Sequence, residues 1–210
     1  MVSILTTGYM RSQAEGSNFR ERARDVLRRS ILEAAREAFV RDGYEGVSMR
    51  RLAERVGCSH ANLYLHFRDK EALFDCLVEE SFDEFDVGLK AMFQSARGGD
   101  PVALVRKAGR AYVEFGLANP NIYEFAFLMR RPGRKPDKPH VTYEGLQALV
   151  RRCMQEKRFR RMDVDVASQA LWAAAHGITS LLIIRPHFPW ADRDRVIAQV
   201  VDAAVDGLLA

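Results

Sequence analysis

Residues 48–74 read SMRRLAERVGCSHANLYLHFRDKEALF, and this stretch decides the fold of the first part of the chain. Leu52 and Ala53 lie on one face of a short helix, and Leu63 and Phe67, four residues apart, share a face of the next. Gly57 stands between them, where glycine accepts the positive φ that a tight turn demands. A small residue such as Ala53 also lets two helices approach closely. The pattern predicts a helix-turn-helix.

Serine residues precede both short helices. Ser48 and Ser59 are the predicted N-caps, because a serine hydroxyl can accept a backbone N–H from the first turn. The second helix is therefore expected to begin near Ser59, so that His60, Ala61 and Asn62 project from its N-terminal end. In helix-turn-helix proteins, that end is the one that enters a major groove of DNA.

The rest of the chain has helical periodicity, and strict alternation of apolar and polar residues is nearly absent. Prolines and capping residues mark the breaks, since proline interrupts a helix. We therefore predict an all-α fold with about nine helices. Residues 1–17 lack periodicity and are expected to form a flexible leader. The approximate helix bounds are 18–41, one short helix after Ser48, one after Ser59, then 69–95, 101–117, 120–130, 140–158, 163–185 and 191–209.

The composition is that of an ordinary globular chain, with 210 residues, a formal net charge of +4 and three cysteines. Cys58, Cys76 and Cys153 are widely spaced and odd in number, which argues against a disulfide framework and favours a reducing cytoplasm. No stretch approaches the ~18 to 20 apolar residues of a membrane span. The first twenty residues lack the pattern of a signal peptide, so neither export nor a membrane partner is expected.

Sequence motifs for catalysis or cofactor binding are absent. The sequence contains no GxSxG, P-loop, GxGxxG or HExxH pattern, and its five histidines are scattered without the spacing of metal ligands. His176 and Ser180 lie four residues apart on one helix, but no acid is placed to complete a catalytic set. We therefore expect no enzyme activity, no cofactor and no metal.

The stretch from about Arg29 to Phe74 resembles the tetracycline-repressor (TetR) family of bacterial transcription regulators. The resemblance implies an N-terminal three-helix DNA-binding domain, residues 18–74, and a C-terminal helical domain, residues 75–210, that dimerises and holds a small-molecule effector. The segments that carry it are ILEAAREAFVRDGYEGVS, LAERVG and NLYLHFRDKEALF, with Gly43, Ser48, Ala53, Gly57, Leu63, Tyr64, His66, Phe67, Lys70, Glu71 and Leu73 in order.

The same resemblance implies a set of DNA contacts by position in the motif. Arginine can bridge guanine, asparagine can bridge adenine and alanine can meet a thymine methyl group. Asn62 and Leu65 depart from the residues that are more common at these positions in the family, which leaves the operator sequence open. The implied base-facing residues are Arg50, His60, Ala61, Asn62 and Tyr64, with Ser59 at the start of the recognition helix, and the implied phosphate contacts are Ser48, Tyr64, His66 and Lys70.

Several of these residues also have ordinary structural interpretations. Tyr64 and Phe67 could both be core aromatics, and the spacing of Phe67 from the apolar residue four positions earlier favours that interpretation for Phe67. His66 alone would more often be a solvated surface residue. Arg51 and Arg55 are expected to form a solvated helix face, and Cys58 is expected to be a small core residue at the turn.

The segment 164–184, VDVASQALWAAAHGITSLLII, is apolar nearly all round its helix and must be covered on more than one side. The final helix is amphipathic and suits the same contact. Together the two helices predict a four-helix interface between two copies of the chain, as the resemblance implies. The interface residues predicted on them are Leu171, Ile178, Leu182, Val196, Val200, Ala204 and Leu208.

Aromatic residues and methionines concentrate in the C-terminal half, where they could line an apolar effector pocket or form plain core. Trp172, His176 and Gly177 resemble a tryptophan and histidine-glycine signature of one class of TetR-like C-terminal domains. His176 is either a polar group in the pocket or the domain core, or a buried histidine that bonds a carbonyl, and Gly177 is expected to permit close helix approach. The predicted pocket residues are Met92, Phe93, Tyr112, Phe115, Tyr123, Phe125, Phe127, Met129, Trp172 and His176.

The sequence-based hypothesis is a cytoplasmic homodimeric repressor that binds a pseudo-palindromic double-stranded DNA operator and is released by a hydrophobic or aromatic effector. An activator with the same architecture, or an all-α carrier or enzyme for hydrophobic ligands, is the alternative. The basic loop at residues 130–138 is either a solvated connection or a lid.

Overall fold

The computed structural model describes the backbone of residues 3–95, 98–129 and 141–210, and the side chains of residues 21–92, 98–129 and 142–210. Over this part of the chain the fold is all-α, as predicted, and the only β-type pairing is a single bridge between Phe159 and Leu209. The helices are α1 (Ser3–Gly46), α2 (Met49–Val56), α3 (His60–His66), α4 (Lys70–Ser95), α5 (Pro101–Ala118), α6 (Pro120–Tyr123) with a π-helical turn (Glu124–Leu128), α7 (Val141–Gln155), α8 (Val164–Ile184) and α9 (Arg193–Asp206).

Helix α1 begins at Ser3, so the described backbone of residues 3–17, for which the sequence predicts a flexible leader, is helical. Extending an existing helix by one residue costs far less than nucleating one, and no proline interrupts this segment. Near its other end, α1 is broken at Gly43, whose φ of 68° lies in the left-handed region. The periodic helix therefore ends close to the predicted glycine.

Most helix starts have a side-chain cap, and the predicted cap Ser59 is among them. A carboxylate or hydroxyl oxygen accepts a backbone N–H of the first turn, which replaces a hydrogen bond that the helix itself does not supply. Ser48 and Asn119 precede α2 and α6, but neither side chain accepts such a bond. The capping residues are Ser59, Asp69, Asp100, Asp163 and Asp192.

The chain divides into two compact units, residues 1–77 and residues 78–210, whereas the sequence predicts a division after residue 74. The core of the N-terminal unit is built from α1, α2, α3 and the start of α4. Phe39 and Phe74 meet edge to face, with ring centroids 4.4 Å apart, and both are buried with Leu63. The contact between the two rings joins α1 to the start of α4.

The core of the C-terminal unit lies between α5, α7, α8 and α9. It contains Leu171, Ile178, Leu182 and Leu208, which are buried within the single chain. Their assignment to a dimer surface is therefore wrong, because a helix that is apolar all round does not reveal from sequence which side faces its own core. The remaining predicted interface residues, Val196, Val200 and Ala204, are half-buried at the edge of the same core.

Helix α8 is long and apolar enough to cross a membrane by length and composition alone, contrary to the expectation that no stretch would be. In the structure it packs into the core of the C-terminal unit, where Ala175 and Leu182 are buried. This packing covers one side of the helix, while Val166, Leu181 and Ile184 remain exposed.

Candidate nucleic-acid interface and ligand cavity

The turn between α2 and α3 has the geometry that a helix-turn-helix requires. Gly57 ends α2 in the left-handed conformation, with φ 77° and ψ 28°, and the next backbone N–H, of Cys58, donates to the carbonyl of Ala53 at 3.0 Å. The chain then enters α3 through Ser59, whose Oγ accepts the backbone N–H of Asn62 at 3.1 Å. Together these bonds fix where α3 begins.

Helix α3 exposes one face and buries the other. Leu63 is completely buried, and Ala61 and Leu65 lie two positions to either side of it, about 200° round the helix axis. Leu65 is 75% exposed, more than any other large apolar side chain among the described residues. The centre of the outward face is therefore a leucine beside an alanine. Sequence reasoning did not assign Leu65 to the DNA contacts, although its spacing from Leu63 carries that signal.

Aromatic side chains flank this face. Tyr64 is 39% exposed and meets the His60 ring edge to face, with centroids 4.8 Å apart. Its interpretation as a core aromatic is therefore wrong. Phe67 is buried, as predicted. The two aromatic residues of the motif thus have different roles, one on the surface and one in the core.

Arg28 of α1 contacts the C-terminal end of α3. Its guanidinium lies 4.5 Å from the centre of the Phe67 ring, and its Nη1 donates to the backbone carbonyl of His66 at 3.4 Å. Partial burial lowers the pKa of His66, and the positive charges of Arg24 and Arg28 lower it further. His66 is thus a neutral imidazole at neutral pH, so it can meet a phosphate as an N–H donor rather than as a cation.

Lys70 stands at the first turn of α4 and is held in place by α1. Its Nζ lies 4.2 Å from the centre of the Tyr44 ring and donates to the backbone carbonyl of Glu45 at 3.5 Å. Burial lowers the pKa of Lys70. At the same helix start, Asp69 accepts the backbone N–H of Ala72 at 2.7 Å. A lysine positioned in this way beside a helix N-terminus is suited to a phosphate group.

The remaining predicted DNA contacts are also accessible. Ser48, Arg50, His60 and Ala61 are exposed, and Asn62 is half-buried. Arg50 pairs with Glu54 at 3.1 Å in an exposed ion pair, which is of the kind that contributes little free energy and is easily exchanged. Arg50 can therefore leave this partner for a phosphate or a base.

The C-terminal unit contains a cavity of about 530 Å³ whose described lining is apolar and aromatic. Of the predicted pocket residues, Tyr112, Phe127 and Trp172 line it. Most other lining residues were not predicted from the sequence. The i, i+3, i+7 spacing of Phe82, Phe85 and Leu89 along α4 is a signal for three of them. The described lining residues are Val78, Phe82, Phe85, Leu89, Val105, Ala108, Gly109, Tyr112, Ala126, Phe127, Thr142, Tyr143, Leu146, Gln169, Leu171, Trp172, Ala173, Ala175, Val201, Ala204 and Val205.

The other predicted pocket residues lie outside the lining. Tyr123 and Phe125 are buried in the core, so the pocket assignment is wrong for them, because the π-helical turn that carries Phe125 packs inward. Phe115 does not line the cavity but stacks on the lining residue Phe85, with ring centroids 4.6 Å apart. Two half-buried methionines, Met92 and Met129, do not line the cavity either. The side chain of Phe93 and the basic loop at residues 130–138 fall outside the described residues.

A hydrogen-bonded network of aromatic side chains lies at the cavity wall. Trp172 Nε1 donates to the Tyr112 hydroxyl at 3.2 Å, and that hydroxyl lies 3.2 Å from the Tyr123 hydroxyl. The Tyr123 hydroxyl in turn bonds His176 Nδ1. Burial raises the pKa of both tyrosines and lowers the pKa of His176, so all these groups are neutral at neutral pH.

His176 is not a lining residue; its Nδ1 bonds a tyrosine hydroxyl, which makes it a polar group of the core beside the cavity. The close approach expected at Gly177 is also absent within the described chain, because a Cβ atom there would meet nothing within 4 Å. Close packing occurs instead at Gly116, where a Cβ atom would lie 2.9 Å from Tyr123 Cδ2. Among the described residues, no group of three or more histidine, cysteine or acidic side chains could hold a metal ion.

An exposed recognition helix on a helix-turn-helix scaffold, followed by a helical unit with a cavity, defines a DNA-binding protein of the regulator class. Two family models match the chain. "Bacterial regulatory proteins, tetR family" matches residues 31–77, and "Tetracyclin repressor-like, C-terminal domain" matches residues 105–208. The chain therefore belongs to the TetR family and is a DNA-binding transcriptional regulator rather than an enzyme.

The chain is also similar to individual relatives and to a solved structure. The nucleoid occlusion factor SlmA of Klebsiella pneumoniae is 27% identical over 161 residues, which cover 73% of this chain and 80% of that protein. The HTH-type transcriptional repressor AcnR of Corynebacterium diphtheriae is 51% identical over 55 residues, covering 26% of this chain and 29% of AcnR. A protein of unknown function from Rhodococcus sp. RHA1 is 27% identical with a TM-score of 0.76, covering 88% of this chain and 96% of its own.

Proposed function

We propose that this chain is a homodimeric repressor that binds a pseudo-palindromic operator through two copies of α3. A small apolar effector in the cavity of the C-terminal unit then releases it from DNA. The observation that carries the proposal is the exposed outward face of α3, flanked by positioned phosphate-binding groups. The identity of 51% over 55 residues with a transcriptional repressor supports the repressor role.

In the proposed complex, α3 lies in the major groove and its flanking groups hold the DNA backbone. Asn62 and Arg50 meet base edges, and the outward pair of Ala61 and Leu65 meets apolar groups there. Lys70 and the neutral imidazole of His66 bind phosphates on either side, which sets the register of the helix but carries no sequence information.

The dimer is proposed to form through an exposed stripe of α8, defined by Val166, Ala170, Gly177, Leu181 and Ile184. These residues recur at helical spacing on one side of α8, and the three large ones are 46–56% exposed. A Cβ atom at Gly177 would meet nothing within 4 Å, which leaves room for a second helix. Val196 and Val200 of α9, half-buried at the edge of the core, are proposed to extend this surface. An apolar stripe of this length on a soluble chain favours association with a second copy.

Coupling between ligand and DNA is proposed to run along α4. This helix begins with Lys70, a proposed phosphate contact, and later carries Phe82, Phe85 and Leu89, which line the cavity. A ligand that binds better to one position of α4 than to another therefore shifts the position of a DNA contact. Such couplings amount to about 1–3 kcal/mol, or roughly 5–150-fold in affinity. The protein is proposed to act in the cytoplasm.

Selection of genomic DNA fragments on the purified protein tests this function. We expect recovery of a discrete inverted repeat whose half-sites are separated by about one helical turn, ~34 to 36 Å. Two chains should bind each duplex, as measured by sedimentation. Retention of DNA without sequence preference, lost steeply with added salt, would contradict the proposal and favour a ligand carrier that keeps the helix-turn-helix as a scaffold.

A further inference from the structure

The cavity of the C-terminal unit has a lining that restricts the chemistry of its ligand. None of its described lining residues carries a charge. A buried carboxylate or ammonium group without a partner costs several kcal/mol, so a charged ligand group finds no compensation from this lining. The walls are instead apolar side chains and the rings of Phe127, Tyr143 and Trp172, with Tyr143 and Trp172 edge to face at 6.3 Å.

The hydroxyl and indole groups of Tyr112, Thr142 and Trp172 at this lining already have partners, and the Gln169 amide belongs to an exposed residue. Trp172 Nε1 donates to the Tyr112 hydroxyl, which also lies within hydrogen-bond distance of the Tyr123 hydroxyl. The Thr142 hydroxyl donates to the carboxylate of Asp86, which lies outside the lining. These groups are held by the protein and are not available to a ligand without loss of an existing bond.

The Tyr143 hydroxyl is different. It is shielded from solvent and has no hydrogen-bond partner among the described residues. Leaving such a group unpaired costs about 1–3 kcal/mol, and a ligand group that draws the hydroxyl to the cavity surface and pairs with it recovers this free energy. Two other buried polar atoms share this state, Arg110 Nε and Ser168 Oγ, but neither residue lines the cavity.

We infer that the cavity takes an uncharged, largely apolar ligand with one hydrogen-bonding group, such as a ketone, ester or hydroxyl, that pairs with the Tyr143 hydroxyl. The apolar body of the ligand packs against Trp172 and Phe127. A volume of about 530 Å³ lies within the range of ~300–1,000 Å³ typical of small-molecule sites. This inference rests on the proposed effector function, whose cavity it describes.

The test uses the purified full chain and a matched series of naphthalenes that carry an acetyl, ethyl, carboxylate or aminoethyl group at the same ring position. Equilibrium dialysis gives each affinity. We expect the acetyl compound to bind most tightly and the two charged compounds to bind most weakly. In Tyr143→Phe, the acetyl compound should lose about fivefold in affinity, the contribution of one neutral hydrogen bond, while the ethyl compound is unchanged.

Equal losses for the acetyl and ethyl compounds, tightest binding by a charged member, or no binding by any member at ~1 mM would overturn the inference. Tyr143→Phe should fold normally, since it removes only an unpaired hydroxyl, and thermal unfolding checks this. If the variant unfolds, the ranking of the four compounds by affinity for the wild-type chain still tests the inference. Operator binding is measured separately with the acetyl compound present. Correct ranking without DNA release refutes the effector function alone, whereas release by a charged compound refutes the ligand class alone.

Discussion

The substitution Leu65→Ala tests whether the outward face of α3 contacts DNA bases. In the proposed complex, the isobutyl group of Leu65 packs against a thymine methyl group in the major groove. Fully burying a leucine side chain is worth about 1.5–3 kcal/mol. Because Leu65 is 75% exposed in the free protein, complete burial in the groove would contribute roughly 1–2 kcal/mol.

The contact with one thymine methyl group is a smaller part of that value, about 0.8 kcal/mol, by the free energy of burying a single methylene-sized group. It corresponds to about fourfold in affinity for each half-site and about 15-fold for both. Fluorescence anisotropy with the selected operator measures it directly when each thymine in turn is replaced by uracil, which lacks only the methyl group. Wild type should lose about fourfold at one position in each half-site, and Leu65→Ala should be weaker throughout and insensitive at that position.

Val87→Ala is the matched control, because Val87 is also an exposed apolar residue, but it lies on α4 outside the helix-turn-helix. It should leave operator affinity unchanged. Both variants should unfold within about 0.5 kcal/mol of wild type, as surface substitutions usually do. If Leu65→Ala keeps full affinity, or keeps full sensitivity to the loss of the methyl group, then the outward face of α3 does not read thymine through this side chain.

Other substitutions and solution conditions test separate parts of the account. Lys70→Ala should weaken binding to all DNA sequences alike and lower the slope of log affinity against log salt by about 1. A change in base preference would show that Lys70 is not a phosphate contact. Gly116→Ala should lower the free energy of unfolding by about 1–3 kcal/mol, because the added Cβ meets Thr179 Cγ2 and the Tyr123 ring, whereas Gly88→Ala meets nothing within 4 Å and should not destabilise. The folded state lowers the pKa of His176 from 6.5, so its neutral form is favoured and stability is lost as pH falls below 6.5. Urea unfolding at a series of pH values measures this effect. The loss of stability at low pH should be smaller in His176→Gln than in wild type.

The helix-turn-helix could be predicted from sequence because the signals that define it are local. A glycine at the left-handed end of α2 and Ser59 at the start of α3 act within a few residues, and both adopt the predicted conformations. The burial of Leu63 and Phe67 follows from their spacing on one helix. Leu65 shows the limit of this reasoning. A leucine is expected in the core, and only its position on the opposite side of the helix from Leu63 indicates that it is exposed.

The C-terminal unit was harder to predict because its determinants are not local. Helix α8 is apolar on all sides, so periodicity alone could not separate its core side, with Leu171 and Leu182, from its exposed stripe. The cavity is formed by helices distant in sequence, and an aromatic residue such as Tyr123 can equally serve the core. The unpaired state of the Tyr143 hydroxyl depends on every atom around it, which no sequence pattern records.

The central claim is that the N-terminal end of α3 reads base pairs, and Asn62→Ala tests it most directly. The measurement is the affinity of wild type and variant for the selected operator and for a set of operators with one base pair changed in each half-site. We expect the variant to lose about 1–3 kcal/mol on the selected operator and to become indifferent at one position, with the other positions unaffected. A variant that matches wild type on every operator, or that weakens uniformly across the set, would contradict the claim.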